Sequence, residues 1–338
     1  MMNRILKKAL AVFSFVAISC SAKEAETTIP EEPGRKVVGY LPSWRTNLST
    51  VRWHSLTHVN LSFARVRADG SLDDADVRQM AAKLQATTNK YGIKMLLSLG
   101  GGGGADQQKA FTSALLDDTA RENTVKNVIQ TVKDLQLDGI DIDYEGWDYG
   151  PRQEISAGLD KFASSLRQQL GENGLLTAAL SGYALRNSYY SEAYLGMLDA
   201  VMLMAYDRTG TWSSDIGPHA PYDYFVSLCE SAAAQGVPTE KIIPGVPFYG
   251  RSFPEGKTAN AKDWTYRDIL IAYPDAWKTN SVEEDYLWYD GPSMISKKCK
   301  YIVEHDLGGV MIWEISMDTI DPSKSLLSTI SAEFATSK

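Results

Sequence analysis

Asp138-Gly139-Ile140-Asp141-Ile142-Asp143-Tyr144-Glu145 is the stretch on which the fold turns. On a β-strand successive side chains point to opposite faces. Asp141, Asp143 and Glu145 therefore share one face, and Ile140, Ile142 and Tyr144 share the other. A strand with one carboxylate face and one apolar face suits a closed barrel. Its helices cover the apolar side and its interior takes the acids. Glu145 then stands highest, at the C-terminal rim where barrel active sites lie. Asp138 has the opposite parity and reads as structural, capping the entry into the strand.

Working outward, short apolar runs alternate with longer amphipathic stretches. Strands are expected at residues 37–40, 58–63, 94–99, 139–144, 176–181, 200–205, 242–246 and 309–313. Helical spacing falls at 74–91, 123–135, 152–170, 222–235, 293–305 and 324–334. Alternating strands and helices predict a parallel sheet. Eight such units in one chain predict an α/β fold of the (β/α)8 TIM-barrel type. A doubly wound open sheet is disfavoured because no G-x-G-x-x-G follows the first strand. Gly100–Gly104 follow the third strand without a Lys-Ser/Thr, so they are not a phosphate-binding loop.

Three acids this close cannot all ionise cheaply. Like charges raise at least one pKa, and such a group suits general acid–base work near neutral pH. A metal site is disfavoured, since none of the four histidines is near in sequence. No cofactor or metal is expected.

At this point the sequence resembles glycoside hydrolase family 18, the chitinases and their relatives. Residues 138–145 fit that family's D-x-x-D-x-D-x-E. Ser98-Leu-Gly-Gly101 resembles its S-x-G-G, and Met204-Ala-Tyr206-Asp207 its M-x-Y-D. Gly245-Val-Pro-Phe-Tyr249-Gly-Arg251 and Gly308-Gly-Val-Met-Ile-Trp313-Glu314 end the seventh and eighth strands, and Tyr40 ends the first. The resemblance implies that Glu145 protonates the glycosidic oxygen and later deprotonates water. The nucleophile it implies is the substrate's own 2-acetamido carbonyl, an exception to the two-carboxylate scheme. Asp143 would accept the acetamido N–H, and Asp141 would share a proton with it. Tyr40 and Ser98 would bond this pair from behind, and Tyr206 would bond the acetamido oxygen. Trp313 would be the floor under the sugar, with Asp207, Tyr249 and Arg251 lining the site. The implied reaction is retaining endo-hydrolysis of β-1,4-linked N-acetylglucosamine glycans. The alternatives are an endo-β-N-acetylglucosaminidase acting on N-glycan cores and, more remotely, a non-catalytic lectin.

Two departures bear on substrate. Many relatives place a Trp under the leaving sugar where this chain has Gly102, although Trp212 matches another on that side. Trp44, Trp147, Tyr149 and Tyr183 also follow strands and could stack sugars, but each reads first as a rim packing residue. Residues 253–286 number too few for the α+β insertion many relatives carry before the eighth strand. A truncated or absent insertion is expected there, a helix at 266–272 with loops, and with it a shallow, open groove.

The N-terminus addresses the chain. Arg4, Lys7 and Lys8 precede a short apolar run that ends at Ser19-Cys20, as in a bacterial lipoprotein signal. The expected organisation is a signal peptide at 1–19, lipidation at Cys20, a polar tether at 20–34 and one hydrolase domain at 35–338. The expected place is the cell envelope, at the outer membrane. Forty-two acidic residues against 34 basic ones give a net charge of -8. That argues against nucleic acid and leaves the lipid as the only tie to a membrane. A monomer acting on neutral N-acetylglucosamine oligo- or polysaccharides fits. Cys229 and Cys299 read as buried thiols rather than a disulfide.

Overall fold

The computed structural model describes residues 34–336. The expected signal peptide and Cys20 lie outside the described residues, as does all but the last residue of the expected tether.

Eight parallel strands close on themselves. They are β1 (Lys36–Pro42), β2 (His58–Val66), β3 (Lys94–Gly100), β4 (Gly139–Asp143), β5 (Leu175–Ser181), β6 (Ala200–Met204), β7 (Ile242–Pro247) and β8 (Gly309–Trp313). Each pairs with its sequence neighbours, and β8 pairs with β1 to close the ring. This is the (β/α)8 barrel expected from the alternation. Helices α1 (Ala75–Tyr91), α2 (Ala105–Leu116), α3 (Asp118–Leu135) and α4 (Arg152–Leu170) follow β2 to β4. Helices α5 (Gly182–Arg186), α6 (Glu192–Met197) and α7 (Tyr222–Ala234) follow β5 and β6. α4 shows why they pack: Ile155, Leu159, Phe162, Ala163 and Leu166 recur at helical spacing and are all buried. The stretch expected at 123–135 is the later part of α3, which starts where Asp117 caps Ala120 N.

The barrel has two apolar layers. Ile140, Ile142 and Tyr144 join the outer core with the helices. A smaller inner cluster holds Val38, Tyr40, Phe63, Met202, Tyr206, Ile243 and Met311. Asp138 sits at the foot of β4, where its Oδ2 accepts from Met95 N at 2.8 Å and Lys94 lies 3.5 Å from its Oδ1. The structural reading of that acid is the one seen.

Between β7 and β8 the insertion is present in the truncated form expected, with the helix at 266–272, but a small sheet stands where loops were expected. The strands Tyr249–Ser252, Lys262–Thr265, Leu287–Tyr289 and Ser281–Val282 form a four-stranded antiparallel sheet beside α8 (Tyr266–Ala272). Tyr249 and Arg251 lie on its first strand rather than at the end of β7. The chain then enters α9 (Pro292–Glu304), crosses β8 and ends in α10 (Leu326–Ala335). Lys298 of α9 is fully buried, with Nζ donating to Asp290 Oδ2 at 2.6 Å and to Ala220 O at 2.8 Å. Cys229 and Cys299 are buried free thiols, and burial pushes both up to about 12.

Candidate active site

Strand register builds the site from below. Asp141 of β4 lies in register with Ser98 of β3 and Thr177 of β5. Neighbours in register on one face are close enough to bond. Ser98 Oγ donates to Asp141 Oδ2 at 2.8 Å and Thr177 Oγ1 to Asp141 Oδ1 at 2.7 Å. Tyr40 from β1 adds a third bond, its hydroxyl donating to Oδ2 at 2.7 Å. Thr177 escaped the sequence reading, where a hydroxyl between Leu176 and Ala178 gave no signal. Burial pushes Asp141 up, and the bonds from Thr177, Tyr40 and Ser98 hold it back in part.

Asp143 is one step higher and 4% exposed, with Oδ1 buried and unpartnered. Burial, then the charges of Glu145 and Asp141, push its carboxyl well above the ordinary range. Glu145 is half-buried at the rim. Burial first and the Asp207 charge second raise it to about 7. The Tyr206 hydroxyl reaches the interior, where its partner is the weak acceptor Met311 Sδ at 3.6 Å. Among the described residues, no group of three His, Cys, Asp or Glu side chains is arranged to hold a metal ion.

Beside this column, Trp313 stacks on Phe63 with centroids 5.7 Å apart and tilts against Tyr40. It borders a cleft of about 250 Å³ that Arg45, Asp207, Tyr249, Arg251 and Trp264 also line. Asp207 follows β6 in a left-handed backbone conformation (φ 59°). The Tyr249 hydroxyl donates to it at 2.6 Å, Arg251 Nη1 lies 3.0 Å away and His219 Nδ1 3.5 Å away. Burial opposes its charge, but His219 and Arg251 outweigh that and hold it below its ordinary value. Arg251 also binds Asp263 Oδ1 through Nε at 2.7 Å and Thr209 O through Nη1 at 2.6 Å. His219 and Asp263 were missed, the first on an irregular loop and the second on a four-residue strand. Trp264 and Asp263 of the insertion wall the cleft on this side.

The remaining sequence candidates separate. Trp212 is 63% exposed with the Arg251 guanidinium over its ring, and Trp44 is 50% exposed. Trp147 is buried against Tyr144, Tyr189 and Tyr190 and offers no face to a sugar. Glu314 is buried on Arg45 and Ser316. Gly102 does border the acid, since a Cβ there would lie 3.1 Å from Glu145 Oε1.

A model of the family "Glycosyl hydrolases family 18" matches residues 36–318, which takes in every strand of the barrel. The chain belongs to this family. It is a glycosidase, and its barrel matches solved family structures throughout. A chitinase from Bacteroides thetaiotaomicron is 31% identical with a TM-score of 0.79, covering 89% of this chain and 96% of that one. The GH18 chitinase ChiB from the chitin utilization locus of Flavobacterium johnsoniae is 30% identical with a TM-score of 0.77, covering 89% and 94%. Among curated relatives, Chitinase 1 of Aphanocladium album is 29% identical over 81% of this chain and 78% of its own. In this family 18 glycosidase the acids at 141, 143 and 145 form one continuous column from the barrel interior to the rim.

Proposed function

We propose that this glycosidase is a retaining endo-hydrolase of β-1,4-linked N-acetylglucosamine glycans, chitin or its oligosaccharides, working by substrate-assisted catalysis. One observation carries the reading. Asp143 Oδ1 is a buried acceptor without a donor, and the Tyr206 hydroxyl is a buried donor with only a thioether to bond. An acetamido group supplies the two complements, an N–H for Asp143 and a C=O for Tyr206.

In this mechanism the sugar's apolar face lies on Trp313. Glu145, protonated up to about pH 7, gives its proton to the glycosidic oxygen as the C1–O bond breaks. The acetamido oxygen, aligned by Tyr206, closes onto C1 with its own lone pair, and the C1–O bonding pair leaves with the protonated glycosidic oxygen. Asp143 holds the N–H of the resulting cation, and Asp141 shares a proton with Asp143 against the donors Tyr40, Ser98 and Thr177. Glu145, now a base, takes a proton from water that attacks C1; the bond from C1 to the acetamido oxygen breaks, its pair returns to the amide, and the configuration is retained. The endo mode is supported at the rim, where Gly102 and Gly104 are exposed and bring no side chains to close the leaving-sugar end.

The test is hydrolysis of chitooligosaccharides, a high-mannose glycopeptide and peptidoglycan at one pH, with the product anomer read by NMR. The β anomer is expected. Replacing N-acetyl by N-trifluoroacetyl weakens the carbonyl nucleophile and should slow the reaction at least tenfold. An unchanged rate, an α product, or an E145Q variant as fast as the parent refutes the mechanism. Faster glycopeptide cleavage would make the chain an endo-β-N-acetylglucosaminidase. Disaccharide release from one end alone refutes endo action. The N-terminal reading adds the proposal that the chain is exported and lipid-anchored through Cys20. Labelling with a radioactive fatty acid should be lost in C20S.

A further inference from the structure

The last turn of β2 carries a charge that the proposed mechanism leaves idle. The strand is irregular between Leu61 and Ala64. Beyond that point Phe63 belongs to the inner cluster while Ala64 and Val66 join the outer core. Alternation puts Arg65 on the side of Phe63, at the lip of the barrel. Arg65 is half-buried and, among the described residues, has no ion-pair partner. With Gly100, Gly101, Gln107 and Gln108 it lines a recess that reaches Glu145.

The glycine run shapes this recess. Gly100 and Gly101 have φ of 98° and 79°, and a Cβ at Gly101 would strike the Phe63 ring. At Gly102 a Cβ would press on Glu145. At Gly103 it would strike Gln107 Oε1 and lie 2.8 Å from Arg65 Nη1. The bare loop thus lets the Arg65 guanidinium and the Gln107 carboxamide stand beside the acid's flank.

The position of the recess decides what it can read. Glu145 serves the glycosidic oxygen, which on a 1,4-linked leaving sugar is O4. The substituents nearest O4 are those on C3 and C6. On plain N-acetylglucosamine both are neutral hydroxyls. A carboxylate at either place would give the guanidinium a charge-assisted, bidentate partner. The acid in register with Arg65 across the antiparallel pair, Asp73, lies 3.6 Å from Arg67. The exposed Asp148 lies 3.7 Å from Arg152, and Lys109 on α2 sits over Tyr149 at 5.6 Å, adding the same sign as Arg65. Asp106 on α2 is exposed.

We infer that the recess selects a leaving sugar bearing a carboxylate next to the scissile oxygen, with Arg65 as the specificity-determining residue and Gln107 as a second donor. The inference rests on the reading of Glu145 as the acid and extends the substrate class of that site from plain N-acetylglucosamine glycans to carboxylate-bearing ones.

The test compares kcat/KM of the parent, R65K and R65M on three substrates. These are chitooligosaccharides, peptide-free strands alternating N-acetylglucosamine with its 3-O-lactyl ether, and the methyl ester of those strands. The parent should cut the carboxylate strands about tenfold or more faster than the ester. R65M should lower the rate on the carboxylate strands by about 10- to 100-fold, the worth of one hydrogen-bonded charge, and bring the acid-to-ester ratio close to one. R65K should fall between. Equal rates on acid and ester in the parent, lactyl strands left uncut while chitooligosaccharides are cleaved, or equal losses on all substrates in R65M each overturn the inference. A parent inactive on chitooligosaccharides as well refutes the hydrolase reading beneath it. The acid–ester comparison uses the parent alone and so survives a variant that fails to fold.

Discussion

Replacing Glu145 by Gln should abolish hydrolysis and, at alkaline pH, make the protein more stable. Glu145 titrates at about 7 in the folded chain, against an ordinary value of 4.5, because burial and the Asp207 charge disfavour its ionised form. The folded state therefore holds this proton more tightly than the unfolded chain does. The stability it contributes is fully present below about pH 4.5, is lost progressively as pH rises to about 7, and stays lost above that. Each pH unit of displacement is worth about 1.4 kcal/mol, so the ceiling is about 3 kcal/mol. Glu145 is only half-buried, and water screening lowers this to about 1–2 kcal/mol. A glutamine has no charge to desolvate. Parent and E145Q should unfold at similar denaturant concentrations at pH 4. At pH 8 the variant should be the more stable by that margin, a gap read from urea titrations at both pH values. A gap independent of pH, or a variant less stable at pH 8, refutes the claim that the acid is held protonated at a desolvation cost.

Three further outcomes follow from the same geometry. In the parent kcat/KM should decline above about pH 7 as Glu145 loses its proton. In D207N that limb should move to lower pH because a like charge is gone, which a pH–rate profile checks. T177V removes one of three donors to Asp141 and should raise that carboxyl further. About 1–2 kcal/mol of stability and about tenfold in kcat should be lost, measured by thermal unfolding and steady-state kinetics. R251M should let Asp207 rise towards protonation, so its alkaline limb should resemble that of D207N; an unmoved limb would show that Asp207 keeps its charge without the guanidinium.

The parts of the site that lie on long regular strands were legible, and the parts made by tertiary contact were not. Asp141 and Asp143 could be placed inward because a two-residue period across β4 separates them from Ile140 and Ile142, and the packing follows that division. Tyr40 and Ser98 were readable through the family resemblance, and they meet on Asp141 Oδ2. Thr177 performs the same task on the other oxygen, yet one threonine among apolar neighbours reads as an ordinary strand residue. The insertion's sheet was not legible for a different reason. Its strands are two to four residues long, too short to show alternation, and they exist because they pair with one another across 40 residues of chain. Trp147 was read first as a packing residue from its place after β4, and it packs under Tyr189 and Tyr190.

The insertion's wall also bears on the strength of the acid. Arg251 belongs to the insertion's first strand, and its Nε is fixed by Asp263 on the next. Its other arm reaches the barrel, where Nη1 bonds Thr209 O and lies 3.0 Å from Asp207. Asp207 in turn is the charged neighbour that, after burial, raises Glu145. The sign of each step is fixed. The guanidinium favours ionised Asp207, and ionised Asp207 favours protonated Glu145. A glycosidase of this fold without that sheet would keep its column of acids, but its Asp207 would ionise less readily and its Glu145 would be the stronger acid, spent at lower pH. The insertion therefore bears on the pH at which Glu145 gives up its proton, through a chain of three side chains, in addition to bounding the cleft.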